Sequence, residues 1–429
     1  MDPATPRPGS PAPRLHGWLD PPVLGLALVA AAAGFGQFGV VAALADVAAE
    51  FGTVAVGDDL TLAEQAGLSG TVLGVGLATI RLASVLSLPL AGLADRLGRR
   101  RTLIGFATLG LFIVGLSSLS PGYWWFVALF AISRPLLTAA NAVSLTSAAE
   151  QTSSLDRSRA VALLAAGFGI GAGLFAVLRG ILGDDVSFRP VFALAFVALV
   201  LVAAAGRWVS EPDRYQIAEA EGAPDQAIPV LGAIQRRFRS RLLPVLGVGF
   251  GIAVVTGPAN SFVFLYAEGI LGLSSAVTAT LVVAAGLTGL TGLLIGRWGA
   301  DHFGRRPTAA AGLVGVAVAG MVTYSGTVPA AAGGYLTAVL AGSVFAPAAG
   351  ALHAELFPTS IRATVAGWTV AAGVIGAVTG LLAFGAIADH LDRYDLAAVA
   401  VFVPAALTAG LLALLPETRG HELEQTAGS

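Results

Sequence analysis

The chain of 429 residues has no cysteine and no lysine, and only 12% of its residues are charged. Without cysteine there is no disulfide framework, thiol nucleophile or zinc–cysteine site. Soluble domains carry about 25% charged residues, so this chain has too few charges to cover a surface that faces water. The composition therefore excludes an ordinary soluble protein and predicts a surface that faces lipid.

Apolar residues are abundant: 56% of the chain is hydrophobic and the mean hydropathy is +0.81. A membrane helix needs about 20 apolar residues, and twelve such runs fit between short loops. The sequence thus predicts an all-α integral membrane protein with about twelve transmembrane helices. The predicted spans are 22–45, 67–91, 102–119, 123–147, 159–182, 190–209, 242–266, 275–296, 308–326, 330–352, 363–387 and 396–415.

One long polar stretch, 211–241, separates the sixth and seventh spans. It predicts two six-helix bundles, 18–210 and 242–416, joined by a linker. The proline-rich start, 1–17, is predicted to be disordered, and 417–429 to form a tail.

A short charged sequence occurs twice, 206 positions apart, from Ala94 to Arg100 and from Ala300 to Arg306. Each copy follows one long apolar run and precedes another, which is typical of a tight turn between two membrane helices. A repeat of half the chain indicates two similar halves rather than a solenoid. Secondary transporters have this architecture and move a solute by rocking one half against the other.

Arginine placement predicts the orientation. With the N-terminus inside, only Arg179, Arg189 and Arg393 lie outside, and nearly all other arginines lie inside. This agrees with the positive-inside rule and predicts two cytoplasmic termini, a cytoplasmic linker and an even number of spans in the cytoplasmic membrane. Arginine as the only strong base, with much alanine and glycine, is typical of a bacterial protein.

The repeated turn resembles the signature of the major facilitator superfamily, approximately G-x-x-x-D-R-x-G-R-R, found after the second and eighth spans. The first copy matches everywhere except that Ala91 holds the leading glycine position. In the second copy His302 replaces the first arginine and Arg297 replaces the leading glycine. Two further segments, 355–368 and 416–420, resemble the sugar and organic-acid porters of that superfamily. The resemblance implies two pseudo-symmetric six-helix bundles.

The charged turns are predicted to act as gates. An aspartate at a helix C-terminus is disfavoured by the helix dipole, so Asp95 needs an offsetting contact that breaks when the halves rock apart. The alternative is a solvated loop whose arginines only set the topology. The predicted gating residues are Asp95, Arg96, Arg99, Arg100, Asp301, Arg305, Arg306, Glu355 and Arg362.

Arg81 and Arg134 lie near the middle of spans two and four. Arginine at membrane depth normally faces the bundle interior or a wet cavity. Arg134 matches the family's fourth-span arginine, which implies proton coupling or anion binding. Since no mid-span acid neutralises the pair, they favour an anionic solute whose carboxylate or phosphate suits the guanidinium fork. The alternative is that both pair with backbone or polar groups.

Spans one and seven carry glycine and proline near their centres, at 34–39 and 256–260. Paired interruptions of this kind point to a midplane solute site. Gln37 and Asn260 are therefore candidate solute ligands, and Asn141 in span four is a third. Each is equally suited to holding helices together.

Span five has glycine at 167, 169, 171 and 173, in an apolar run without the strand–helix context of a dinucleotide loop. We expect these glycines to allow close helix packing. Asp46 and Glu268, at the ends of spans one and seven, are the candidates for proton coupling together with Arg134. Otherwise coupling depends on a proton of the solute or is absent.

The leading hypothesis is a secondary transporter of a small organic solute, favouring an anion, with protons as a possible partner. The alternatives are a multidrug or sugar efflux carrier and, in another class, a non-transporting membrane sensor. An enzyme is not expected, since the five histidines are scattered and no catalytic or metal spacing occurs. We also predict no cofactor, no bound metal, no ATP and no nucleic-acid partner.

Overall fold

The computed structural model describes residues 15–55, 57, 60–153, 156–184, 186–212 and 238–419. Within these ranges it has twelve helices long and apolar enough to cross a membrane, so the predicted number of spans is confirmed. In lipid a helix satisfies all its backbone hydrogen bonds within one segment. The predicted tails and most of the predicted linker lie outside the described residues.

The twelve spans are labelled α1 to α12 in chain order. Those of the first half are α1 Pro21–Ala42, α2 Gly70–Gly92, α3 Arg99–Leu119, α4 Tyr123–Gln151, α5 Arg157–Leu182 and α6 Phe188–Ala205. Those of the second half are α7 Arg239–Ile270, α8 Ser275–His302, α9 Arg305–Thr323, α10 Val328–Leu356, α11 Thr364–Leu391 and α12 Tyr394–Leu414. Shorter helices lie at Leu44–Phe51 and Leu62–Ala66 between α1 and α2, and at Ala94–Leu97 before α3.

The helices pack mainly within their own half. In the first half α1 lies along α5 and α4, and α3 lies along α4; in the second half α9 lies along α10, and α7 along α11. The most extensive contacts between the halves are those of α2 with α11 and of α5 with α8, and α1 also touches α7. A site between the halves is therefore bounded by these helices.

The predicted interruption of span one was wrong, because α1 is one continuous helix from Pro21 to Ala42. Its glycines serve close packing instead. A Cβ on Gly34 would lie 2.0 Å from the Phe168 carbonyl oxygen of α5. In α7 the regular helix ends at Ser261 and is followed by a π-turn over Tyr266–Ile270, so the break lies beyond the predicted 256–260 segment.

The two ends of the bundle differ. We call the end with the turns at 94–100 and 300–306 the motif end, and the opposite end, with Gly70, Arg179, Ser275 and Asp389, the sealed end. At the sealed end α2 and α11 touch backbone to backbone: a Cβ on Gly385 would lie 2.1 Å from the Gly70 carbonyl oxygen. The halves are thus in close contact at this end.

Candidate solute site

A cavity of about 390 Å³ lies between the halves, and we call it the central cavity. Helices α1, α2, α4 and α5 line it from the first half, and α7, α10 and α11 line it from the second. The lining residues are Gln37, Phe38, Val40, Val41, Leu77, Ile80, Arg81, Arg134, Phe168, Thr256, Gly257, Asn260, Ser261, Tyr335 and Leu381. Four of the five predicted solute ligands are therefore brought together.

Arg81 and Arg134 supply the charge of this cavity. Among the described residues, neither side chain makes a hydrogen bond or an ion pair, and Arg134 Nε is buried without a partner. The two guanidinium groups also lie close enough to repel each other. No acid lines the cavity in the described part of the chain. The site thus holds two uncompensated positive charges, an arrangement that favours an anion.

The neutral polar groups lie on both halves. Thr138 donates its hydroxyl proton to Gln37 Oε1 at 3.2 Å, which leaves the Gln37 amide N–H groups for another partner. Asn260 faces it from α7. The fifth predicted ligand, Asn141, lies two turns further along α4 and is not among the residues of the cavity wall. Its expected place at the site was wrong, because two helical turns move a side chain about 10 Å along the axis.

A second space of about 310 Å³, the side chamber, extends toward the motif end. Arg81 and Thr256 line both spaces. His353 and Thr369, near the motif ends of α10 and α11, line only the side chamber. The central cavity therefore continues toward the motif end.

Aromatic and aliphatic side chains close the central cavity on its other side. Phe38 of α1 meets Phe264 of α7 edge to face at 5.9 Å between ring centroids, and Phe264 meets Tyr335 at 5.7 Å. Val41 and Val263 pack against the same cluster. These five residues, which we call the plug, join both halves between the central cavity and the sealed end.

An ion cluster lies at the sealed end beyond the plug. Arg179 of α5 donates from Nε and Nη2 to the two Asp46 oxygens, each at 2.5 Å. It also donates from Nη1 and Nη2 to the two Glu268 oxygens, each at 2.6 Å. Thr278 of α8 contacts Glu268 through its hydroxyl. Asp46 and Arg179 belong to the first half and Glu268 to the second, so the cluster ties the halves together.

Carboxylates also cap helix starts across the halves at the sealed end. Asp389 of α11 accepts from the backbone N–H groups of Gly70 and Thr71 at 2.7 Å, where α2 begins. Asp184, after α5, accepts from the N–H of Ser275 at 2.8 Å, where α8 begins. Burial raises the pKa of Asp184, but the bonds from Ser275 and the charge of Arg179 hold it below its usual range. Both caps use the anion-binding property of a helix N-terminus.

At the motif end the charged turns are built alike in the two halves. Glu211 accepts from the backbone N–H groups of Arg99 and Arg100, and Glu417 accepts from those of Arg305 and Arg306. Both turns need a glycine, since Gly98 and Gly304 have φ of +93° and +111°, a backbone conformation that other residues rarely adopt. A Cβ there would also approach the capping carboxylate.

The arginine side chains of the turns form ion pairs within each half. Arg99 binds Glu150 at 2.8 Å, and Arg305 binds Asp301 at 3.0 Å and Glu355 at 3.3 Å. Arg100 donates to the Gly206 carbonyl, and Arg96 is exposed. The side chains of Asp95 and Arg362 lie outside the described atoms. A gating role for these residues stays a prediction.

Comparison with known proteins settles the family. The profile of the Major Facilitator Superfamily matches residues 26–299, more than half of the chain. The chain belongs to the major facilitator superfamily. A second profile, that of "Sugar (and other) transporter", matches residues 228–428 of this superfamily member.

Two curated relatives match most of the chain. The 3-(3-hydroxy-phenyl)propionate transporter of Escherichia coli K12 is 30% identical over 347 residues, which are 78% of this chain and 82% of that protein. A probable 4-methylmuconolactone transporter of Cupriavidus pinatubonensis is 25% identical over 77% of this chain and 78% of that protein. The predicted resemblance to the sugar and organic-acid porters is confirmed.

Solved structures share the fold. The xylose transporter of E. coli in its inward open conformation superposes with a TM-score of 0.71 at 19% identity, over 94% of this chain and 98% of that one. A bacterial homologue of the human lysosomal transporter Spinster gives a TM-score of 0.68 at 14% identity, over 91% and 96%. This superfamily member is thus a multi-pass membrane protein with the twelve-helix architecture of these transporters.

Sequence reasoning missed the partners of the charged groups. The arginine pattern predicts only that Arg179 lies on the outer side, and it does not predict which carboxylates cap helix starts. The repeat itself carries the signal, because the half-chain offset that relates the two turns also relates Glu211 to Glu417 and Asp184 to Asp389, within one position. Among the described residues, no group of three or more His, Asp or Glu is arranged to hold a metal ion.

Proposed function

We propose that this chain is a secondary transporter that carries a small organic anion, with a carboxylate on a ring or short chain, by alternating access. The observation that carries the proposal is the pair of unpartnered guanidinium groups of Arg81 and Arg134 in the central cavity. A buried charge without a partner is strongly unfavourable. A bound carboxylate supplies that partner and fits the guanidinium fork with two parallel hydrogen bonds.

The rest of the wall suits a ring. Phe38, Phe168 and Tyr335 offer aromatic surface, which binds a flat ring by burial and by edge-to-face contacts. The free amide N–H groups of Gln37 and the side chain of Asn260 suit a hydroxyl or carbonyl group on the solute. The names of the two curated relatives, a phenylpropionate and a muconolactone transporter, support a cyclic organic acid.

The orientation follows from the arginines. Since basic residues gather at the motif end, we place that end in the cytoplasm. The central cavity then continues toward the cytoplasm and the plug separates it from the outside, as expected of an inward-facing form. Opening the sealed end requires separating α2 from α11 and α5 from α8. We infer that the two halves rock about the central cavity, and that proton symport drives uptake.

The test uses the purified full chain in detergent and measures thermal stabilisation by 3-phenylpropionate, its neutral amide, a sugar and a lipophilic cation. A ligand at 100 times its dissociation constant stabilises the folded state by about 2.7 kcal/mol. We expect the carboxylate to stabilise the protein and the amide of equal shape to fail. Stabilisation by the sugar or the cation alone would contradict an anion site and favour an efflux carrier.

Matched variants assign the effect to the cavity. A hydrogen bond to a charged group is worth about 1.5–3 kcal/mol, so Arg81→Gln and Arg134→Gln should each weaken carboxylate binding by roughly 10- to 150-fold. Arg157→Gln is the control, because Arg157 is exposed at the motif end of α5 and, among the described residues, donates only to the Ala149 carbonyl. Unchanged affinity in both cavity variants would remove the charge argument. Uptake of the labelled acid into proteoliposomes under an inside-alkaline gradient then tests transport and coupling.

A further inference from the structure

The charges of the ion cluster at the sealed end do not balance. Its one cation, Arg179, faces two carboxylates, Asp46 and Glu268, so the fully ionised cluster has a net charge of −1. The side chains of Arg179 and Glu268 are 5% and 7% exposed. A buried charge that lacks a counter-charge is strongly unfavourable. Binding of one proton to a carboxylate makes the cluster neutral.

The hydrogen bonds around Glu268 indicate where that proton sits. The Thr278 hydroxyl lies within reach of two acceptors, the Ser275 carbonyl at 3.0 Å and Glu268 Oε1. A hydroxyl has a single proton to donate. When Thr278 donates to the Ser275 carbonyl, its contact with Glu268 needs a proton from the carboxyl group. Both acids accept two bonds from Arg179, but Glu268 is the more enclosed of the two, since its side chain is 7% exposed and that of Asp46 is 18% exposed.

We propose that Glu268 binds one proton whenever the sealed end is closed, so that closing this end takes up a proton. The inference rests on the proposed transport function, because it requires a form in which the sealed end opens. In that form Arg179 and Asp46 move away with the first half, and Glu268 meets water. An exposed glutamate ionises near pH 4.3, so at neutral pH the proton leaves for the solution on that side.

The other charged groups near the cluster are engaged elsewhere. On the helix that carries Asp46, Glu50 pairs with Arg189 at 3.1 Å. After α5, Asp184 accepts from the Ser275 N–H. On the short helix Leu62–Ala66, which packs against the π-turn of Glu268, Glu64 accepts from Thr61. Asp184 also lies within range of the Arg179 charge. Among the described groups, Asp46, Arg179 and Glu268 are the charges that hydrogen bonds join into the cluster.

The test measures the opening of the sealed end against pH. Since the chain has no cysteine, Pro121→Cys and Ser325→Cys place two spin labels at exposed positions of opposite halves. Distance distributions are recorded by electron paramagnetic resonance in lipid nanodiscs between pH 5 and pH 9, without solute. We expect the ratio of open to sealed forms to rise with pH, by up to about tenfold per pH unit for one linked proton.

Three variants locate the proton. Glu268→Gln has a neutral amide that donates to Thr278 as the protonated acid does, so it should stay sealed at every pH. Glu50→Gln, a matched change in the exposed pair at the same end, should keep the wild-type response. Thr278→Val should move the midpoint to lower pH by about one unit, because the proton loses its acceptor. Melting temperature and elution profile confirm that each variant is folded.

Three results would overturn the proposal: a full pH response in Glu268→Gln, a wild-type protein with both forms in a pH-independent ratio, or a midpoint of Thr278→Val at higher pH. The last would show that Thr278 donates to an ionised carboxylate. A single label distance at every pH and with every solute would instead contradict alternating access itself. Failure of the anion-binding assay alone would leave the pH response of the labels unaffected.

Discussion

Replacing Gly171 by alanine tests how closely α1 and α5 must approach. A Cβ at Gly171 would lie 1.8 Å from the Ala31 carbonyl oxygen of α1, whereas a Cβ at Gly173 would meet nothing within 4 Å. The two glycines lie two residues apart on one helix and so point to different faces. Gly173→Ala is therefore a matched control for the same chemical change.

The expected cost comes from the geometry. An ordinary contact with a Cβ begins at 3.4 Å, so α1 and α5 must separate by roughly 1.5 Å to accept the alanine. Their other contacts then weaken, because a gap of 0.5–1 Å between two packed groups already loses a quarter to a half of the dispersion energy of the contact. Overpacking of this kind destabilises the folded state by about 1–3 kcal/mol. The higher helix propensity of alanine offsets about 0.5–1 kcal/mol of that loss. We expect Gly171→Ala to lower the free energy of unfolding by about 2 kcal/mol or somewhat less, and Gly173→Ala to raise it slightly.

The assay is denaturant unfolding of both variants in the same detergent, followed by tryptophan fluorescence and circular dichroism. The same proteins serve for solute binding. Because Gln37 of α1 and Phe168 of α5 both line the central cavity, separation of these helices should also weaken binding in the Gly171 variant alone. Equal stability of the two variants would refute the assigned faces of α5.

Two further predictions concern the ends of the bundle. Partial burial raises the pKa of Glu417, but backbone N–H groups at the start of α9 lower it more, and the pKa lies below its usual range. Such a carboxyl stabilises the fold above the unfolded pKa of about 4.3 and loses that effect as pH falls through the folded pKa. Glu417→Gln should thus cost about 1 kcal/mol at pH 7, and this difference should shrink as the pH falls below about 4.3 and through the folded pKa, as judged by unfolding at each pH; a constant difference would contradict the cap. A Cβ at Gly74 would lie 2.6 Å from the Leu381 carbonyl oxygen across the halves. Gly74→Ala should therefore open the sealed end in the spin-label assay, and Gly92→Ala, which meets nothing within 4 Å, should leave it closed.

The glycines of spans one and five show what a sequence pattern predicts about helix packing and what it does not. The run in span five predicted close helix packing, and the structure confirms it for Gly167 and Gly171, which face α1. Gly169 and Gly173 face open space instead. The same packing explains why the glycines of span one do not break its helix, since Gly34 also lies against α5. Composition alone does not tell a packing glycine from a hinge, because both need the same missing Cβ.

The candidate site was predicted better than its surroundings. Arg81 and Arg134 were expected at membrane depth because a charge there is too costly to be accidental, and both line the central cavity. Asn141 was misplaced, since its predicted role depended on which turn of α4 faces the cavity. Arg179 gave no such signal, as an arginine near a span end is ordinary in any membrane protein.

The sequence by itself determined the twelve spans, the two-fold repeat and the absence of thiol chemistry. Each of these depends on local hydrophobicity, residue type or a repeated motif, and lipid leaves a long apolar segment no alternative to a helix. Only the tertiary structure decided which charges are paired. Arg179 meets Asp46 and Glu268 across 133 and 89 positions of the chain, whereas Arg81 and Arg134 meet no acid among the described residues. Pairing depends on how helices rotate and cross, and local sequence does not encode those contacts.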